Sequence, residues 1–366
     1  MDQSIKVGSD SSIAAGAGVA RGPELRTIPL DAARAEAALT AFRLSCPGLT
    51  RRNDISGLAR AQDWVPVCDA AASWPAQDAQ RFFATRFEAV QVSDGAAFAT
   101  GYFEPEIAAS RTRSSAYATP IYRRPNDLLE ADLGLFSDEW QGKKIRGKVD
   151  GTRFVLYEDR AAIEQGALAG RGLELAWAAD PIELFFLQVQ GSGRLRLPDG
   201  SIMRIGYESQ NGRDYTGIGR LLLDRGLVPS GQADMQGIVN WLRTNPEQGR
   251  AIMRENKSYV FFREVTGPGP LGAMGYQVTG QTSVAADPRF VPLGAPVILN
   301  MAHDVADGIW VAQDTGGAIK GANRFDTFWG AGAEARRVAG GMASRGQALI
   351  LLPIGSFDRL AAAAGR

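Results

Sequence analysis

The stretch "GIWVAQDTGGAIKGANRFDTFWG", residues 308–330, joins a folding pattern to a chemical one. "GIWVAQD" is an apolar run that reads as a buried strand delivering Asp314 to its end. "TGGAIKG" is a loop whose glycines permit positive φ and close backbone approach. "RFDTFW" reads as a second strand, with Phe325 and Asp326 on opposite faces. A carboxylate among Phe325, Phe328 and Trp329 is partly desolvated. Desolvation raises an Asp pKa, as a general acid at neutral pH requires, and a nearby Asp314 adds like-charge repulsion. Read locally, the two acids are a catalytic pair, a catalyst with a helper, or two turn residues.

Working outward, the last hundred residues continue the strand texture. "SYVFFRE", "YQVTG", "PVILN" and "ALILLP" join the two strands above, and one helix, "GAEARRVAGGMA", interrupts them. Short strands with Gly-rich turns and few helices point to a small barrel. Upstream, residues 31–43 and 77–92 read as amphipathic helices, and residues 97–122, rich in aromatics and Thr, as strands and loops. A middle block from about 121 to 255 holds "RLRL" and "IMRI" around Pro198-Asp199-Gly200, which predicts a β-hairpin. A short helix ending near Gly226 follows, then two more helices broken at Pro246. Residues 1–30 read as a flexible leader without a secretory pattern.

Composition narrows the chemistry. The 366 residues carry 40 Lys+Arg and 40 Asp+Glu, and no basic stripe, which argues against nucleic acid as a partner. The single His, His303, lies in a polar turn, and Cys46 and Cys68 match no zinc spacing. No metal or other cofactor is expected, and catalysis falls to carboxylates, Lys, Tyr or backbone dipoles. Cys46 and Cys68 are either a disulfide or two buried thiols, and the sequence leaves that open.

Four further stretches attract attention. Asp287, in "AADPRFVPLG", reads as a turn acid that bonds backbone N–H groups. In "LQVQGSG", Gln188 and Gln190 alternate with Val189 and so point to one face, and Gly191, Ser192 and Gly193 let a ligand approach the backbone. Amides beside open backbone suit sugar hydroxyls and N-acetyl groups. In "TGYFEPEI" and "ATPIYRRP", Tyr102, Phe103 and Tyr122 could stack on sugar faces, although aromatics at strand spacing are more often core.

Taken in order, "GYFEPE", "TPIYRRP", "FFLQVQGSGRLRLPDGS", "NGRDYTGIGRLL", "AADPRFVPLGAPVIL" and "QDTGGAIKGANRFDTFWG" resemble the MltA family of membrane-bound lytic murein transglycosylases, over roughly residues 30–355. The C-terminal part looks like that family's three-aspartate (3D) domain, with the acids at Asp287, Asp314 and Asp326. The resemblance implies a mainly β fold. Residues 31–120 and 256–360 would form a discontinuous double-psi β-barrel domain with a few helices, and residues 121–255 an inserted smaller β domain. A glycan strand would lie in a groove between them.

The implied reaction is non-hydrolytic cleavage between N-acetylmuramic acid and N-acetylglucosamine, with Asp326 as acid and then base and Asp314 as its supporting neighbour. Tyr102, Thr119, Gln188, Gln190, Gly191, Ser192, Gly193, Tyr207 and Lys320 would contact the glycan, with Asp287 in support. The resemblance further implies a periplasmic monomer acting on peptidoglycan, with outer-membrane association and other cell-wall enzymes as neighbours. Two other readings stand beside it: a peptidoglycan-binding module without catalysis, and a hydrolase using both carboxylates. Departures from the family pattern, "GQTSVAADPR" and "GYESQNG", spare Asp314 and Asp326.

Overall fold

The computed structural model describes residues 4–365 apart from Ala233 and Pro268. It separates into two compact units, residues 1–103 with 271–366, and residues 104–270.

The first unit is built on a closed ring of six strands. Ala343–Pro353 pairs with Pro296–Met301, which pairs in turn with Gly308–Asp314 and Ser283–Ala286. Arg324–Ala331 and Ala96–Glu104 follow, and Ala96–Glu104 closes back on Ala343–Pro353. Closure removes the exposed sheet edge that an open arrangement would leave. The interior-facing strands explain the apolar runs: Trp310, Val311 and Phe325 are fully buried, and Trp310 packs edge-on against Trp329. Phe87–Val92 and Val19–Arg21 extend the sheet beyond the ring.

The 77–92 stretch is therefore half helix and half strand. Ala79–Arg86 is helical, but "FEAVQV" pairs with the last strand at Ile350↔Val90, and its β-branched residues pack better there. The flexible-leader reading of residues 1–30 also gives way, since residues 14–21 form a helical turn and a paired strand. Residues 1–3 of that leader lie outside the described residues. "YQVTG" makes only a bridge, Leu271↔Gln277, rather than a strand. The helix predicted over 31–43 runs on to Leu49, starting on Asp31, which accepts the Arg34 N–H. Cys46 in that helix and Cys68 in Ala61–Ser73 are joined as a disulfide, resolving the alternative the sequence leaves open. Phe42, Trp64, Phe82 and Phe87 pack ring on ring beside it.

The second unit holds a six-stranded sheet ordered Val260–Glu264, Ile202–Gln210, Ser192–Arg196, Glu106–Ser110, Glu174–Ala178 and Thr119–Tyr122. The hairpin around Pro198-Asp199-Gly200 forms as expected, with Arg196 opposite Ile202. Helices Pro181–Gln190, Ile218–Asp224, Met235–Thr244 and Pro246–Glu255 accompany it, the last starting on the expected Pro246. A separate three-stranded sheet comprises Leu129–Asp132, Lys144–Asp150 and Arg153–Leu156.

Candidate active site

Asp314 and Asp326 come together through strand register. Ala285 pairs with Asp314 on one side and with Asp326 on the other. Directly paired residues share a face, so both carboxylates project from the same side of the sheet, their Cα atoms roughly 10 Å apart across two strand spacings. A β-bulge makes this alignment: the register slips between Val284 and Ala285, inserting Gln313. Bulges re-aim side chains in this way. Gln313 is buried, and its amide is tied to Ala41 O, Ser45 Oγ and Ser283 Oγ.

The two acids have different surroundings. Asp314 Oδ1 accepts the N–H groups of Ala273 (2.8 Å) and Thr315 (2.9 Å), and Oδ2 accepts the Tyr102 hydroxyl (3.0 Å). Burial pushes its pKa up, and these three donors pull the other way. Asp326 Oδ1 accepts the Thr100 hydroxyl at 2.6 Å, and no described residue donates to Oδ2. Its pKa is pushed up to about 6, chiefly by burial. The Thr100 hydroxyl and the Arg324 guanidinium draw it down, and Asp314 adds to the rise. Asp314 is thus an acceptor held on both oxygens, and Asp326 keeps one oxygen open and a proton-transfer range near neutrality.

Arg324 Nη2 donates to Thr100 Oγ1 at 2.9 Å. That bond occupies an acceptor site on Thr100 and leaves its own hydrogen directed at Asp326. A proton on Asp326 is then directed to Oδ2, away from Thr100. Arg324 itself lies over the Phe98 ring, 4.9 Å from its centroid. Tyr102 stacks at 4.9 Å on Phe328, and burial, with Asp314 beside it, pushes its hydroxyl pKa well up, so it stays a donor. Between Thr100 and Tyr102 only Gly101 fits: a Cβ there would lie 2.8 Å from both Ala339 Cα and Trp329 Nε1.

Asp287 follows the strand Ser283–Ala286 and is buried. Burial pushes its pKa up, but the Arg289 guanidinium and the N–H groups of Gly321 and Arg289 outweigh it and hold the carboxyl below its ordinary range. Its bond to Gly321 N, 2.8 Å, ties the "ADPR" turn to the loop before Asp326. In that loop Gly321 (φ 98°) and Asn323 (φ 52°) take left-handed backbone. Lys320 beside them is exposed.

Thr119, Gln188, Gln190, Gly191, Ser192, Gly193 and Tyr207 all belong to the second unit. Gln188 does not present its amide to a ligand: it is buried, accepts from Arg160 Nη1 at 2.6 Å and donates to Val260 O. The shared face inferred for Gln188 and Gln190 assumed a strand, and the segment is the helix Pro181–Gln190. Gly193 serves packing, since a Cβ there would meet Leu187 Cδ1 at 2.5 Å. Gly191 does have open space, with φ 80° and nothing within 4 Å of a Cβ position. Ser192 and Thr119 are part-exposed and Tyr207 is exposed. Thr100 and Arg324 were missed. Period-2 spacing could have found them, because Thr100 and Tyr102 share one strand face, and Arg324 and Asp326 another.

Residues 98–263 match the MltA specific insert domain, and residues 282–352 match the 3D domain. A membrane-bound lytic murein transglycosylase from Agrobacterium tumefaciens superposes with TM-score 0.83 at 31% identity, covering 93% of this chain and 99% of that one. The chain belongs to the MltA family. E. coli MltA with bound chitohexaose superposes with TM-score 0.67 at 27% identity, over 92% of this chain and 94% of that one. Among curated MltA relatives, the Vibrio cholerae membrane-bound lytic murein transglycosylase A is 31% identical over 252 residues, which is 66% of this chain. The match spans 61% of that relative's length.

Proposed function

We propose that the protein is a lytic transglycosylase of peptidoglycan, cleaving the β-1,4 bond between N-acetylmuramic acid and N-acetylglucosamine without water. The observation that carries this reading is the asymmetry of the two acids: burial pushes the Asp326 pKa up to about 6 and one of its oxygens has no donor among the described residues, while Asp314 is held on both. Names of the matched relatives, lytic murein transglycosylases, support the substrate class, and the chitohexaose held by E. coli MltA supports a β-1,4-linked amino-sugar chain as ligand.

Protonated Asp326 gives its Oδ2 proton to the bridging O4 as the C1–O4 bond breaks, leaving an oxocarbenium-like muramoyl centre. The carboxylate then takes the proton of the same sugar's C6 hydroxyl, O6 bonds to C1, and the acid is restored. The products are a free O4 hydroxyl and a 1,6-anhydromuramoyl end. An inverting hydrolase needs a second carboxylate about 6.5–9.5 Å away to activate water. Here the nucleophile belongs to the substrate, so no second base is called for and the entropy of positioning water is avoided. General acid–base transfer supplies about 10²–10⁴-fold. Asp314 and Tyr102 place negative charge and an ordered dipole beside the developing cation. Peptidoglycan as substrate places the enzyme in the bacterial envelope, in keeping with the membrane-bound relatives. Mass spectrometry of muropeptides released from purified sacculi tests the proposal: anhydro ends support it, and reducing ends alone refute it.

A further inference from the structure

The three-stranded sheet of the second unit carries an apolar face that no described residue covers. Its register sets Leu129 and Leu156 on either side of Gly147, and Val149 against Phe154. Directly paired residues share a face, so these side chains and Ile145 form one surface. Leu129, Ile145, Val149, Phe154 and Leu156 are all exposed. The reverse face is polar and carries ion pairs: Glu130 binds Lys144 and Arg146, and Lys148 binds Glu158. At the hairpin tip between Leu129–Asp132 and Lys144–Asp150, Leu135 is 84% and Phe136 75% exposed, with Trp140 nearby.

We propose that this sheet and its tip dock into the interfacial layer of a phospholipid bilayer. Three features favour lipid over a protein. The face spans roughly 200–300 Å² from strand length and spacing, short of the roughly 800 Å² per partner of a stable dimer. Leu135 and Phe136 project almost fully into solvent. A fluid hydrocarbon phase accepts such side chains without shape complementarity, whereas a protein partner must match them. Tryptophan beside Leu and Phe, followed by Lys143 and Lys144, is the composition of membrane–water interfaces, where indole sits at headgroup level and lysines reach back to water. Between 123 and 158 seven cationic side chains cancel seven acidic ones. Docking is therefore driven by apolar burial, and anionic lipid is not required.

The test is cosedimentation of the full chain with phosphatidylcholine vesicles at 0.1 and 1 M salt, together with sedimentation velocity of the protein alone. Wild type is expected to partition onto the vesicles at both salts. Leu135→Ser/Phe136→Ser, which removes two projecting side chains, is expected to bind about 100-fold more weakly, with peptidoglycan cleavage unchanged. Val149→Thr/Leu156→Thr on the sheet face is expected to weaken binding in the same direction. Absence of vesicle binding, binding abolished at 1 M salt, or a concentration-dependent dimer that the variants dissolve would each overturn the proposal. Vesicle binding itself does not involve the acid site, so its outcome is independent of the reaction assigned to Asp326.

Discussion

Replacing Asp326 by asparagine isolates what it costs to keep this carboxylate in the site. In the unfolded chain the group titrates near 3.8, and in the fold near 6. A raised carboxylate pKa means that the folded state holds the proton more tightly. The penalty is absent while both states are protonated, and it grows as pH rises from about 4 to about 6. At about 1.36 kcal/mol per pH unit, that rise gives a penalty of about 2–3 kcal/mol above pH 7. The asparagine amide cannot ionise, and its Oδ1 can still accept from Thr100. Asp326→Asn should therefore gain about 2–3 kcal/mol on wild type between pH 4 and pH 7.5, while losing cleavage altogether. Comparing the gain at two pH values cancels contacts specific to the amide. Urea-dependent hydrogen exchange of peptides covering 308–314 and 324–331 reads the first unit alone, so the second unit's unfolding does not enter. An unchanged difference at the two pH values, or a larger deficit at pH 7.5, would show that burial does not hold the Asp326 proton.

Three further outcomes follow from the same geometry. Donation needs protonated Asp326, so kcat/KM on glycan should fall about tenfold per pH unit above about 6, as a turbidity assay with sacculi would record; a flat profile to pH 8 contradicts this. Thr100 draws the Asp326 pKa down, so Thr100→Val should move that limb to higher pH and lower the rate by up to about tenfold, the worth of one hydrogen bond. A lower rate with an unmoved limb would reduce Thr100 to packing. Reduction of Cys46–Cys68, which closes a 22-residue separation, should lower the stability of the first unit by roughly 3 kcal/mol; a change under about 1 kcal/mol in denaturant titration of the reduced protein would contradict the loop-entropy account.

Much of the site was legible because it is carried by period-2 strands. "GIWVAQD" and "RFDTFW" both form the strands their patterns suggest, with Phe325 buried and Asp326 on the other face. What the pattern could not convey was the bulge at Gln313, because an inserted residue leaves no mark in a short apolar run. Nor could it convey that Ala285, an unremarked alanine, is the residue both acids flank. The misreading of "FFLQVQ" has a different cause. Short apolar runs are ambiguous between strand and helix, and here the end signals decide: Asp180 accepts the N–H of Ile182 and Glu183, Pro181 opens the helix, and Gly191 closes it in a left-handed conformation. Those signals stood in the sequence. Arg160, which takes up Gln188, lies 28 positions away and was beyond any local reading.

If one carboxylate performs both proton transfers, no water is consumed, and mass spectrometry of muropeptides released from sacculi by wild type and by Asp326→Asn reads this in the products. Wild type should release 1,6-anhydromuramoyl ends, one water lighter than hydrolytic products, and the variant none. Reducing ends from wild type, or anhydro ends released at full rate by Asp326→Asn, would contradict the single-carboxylate mechanism.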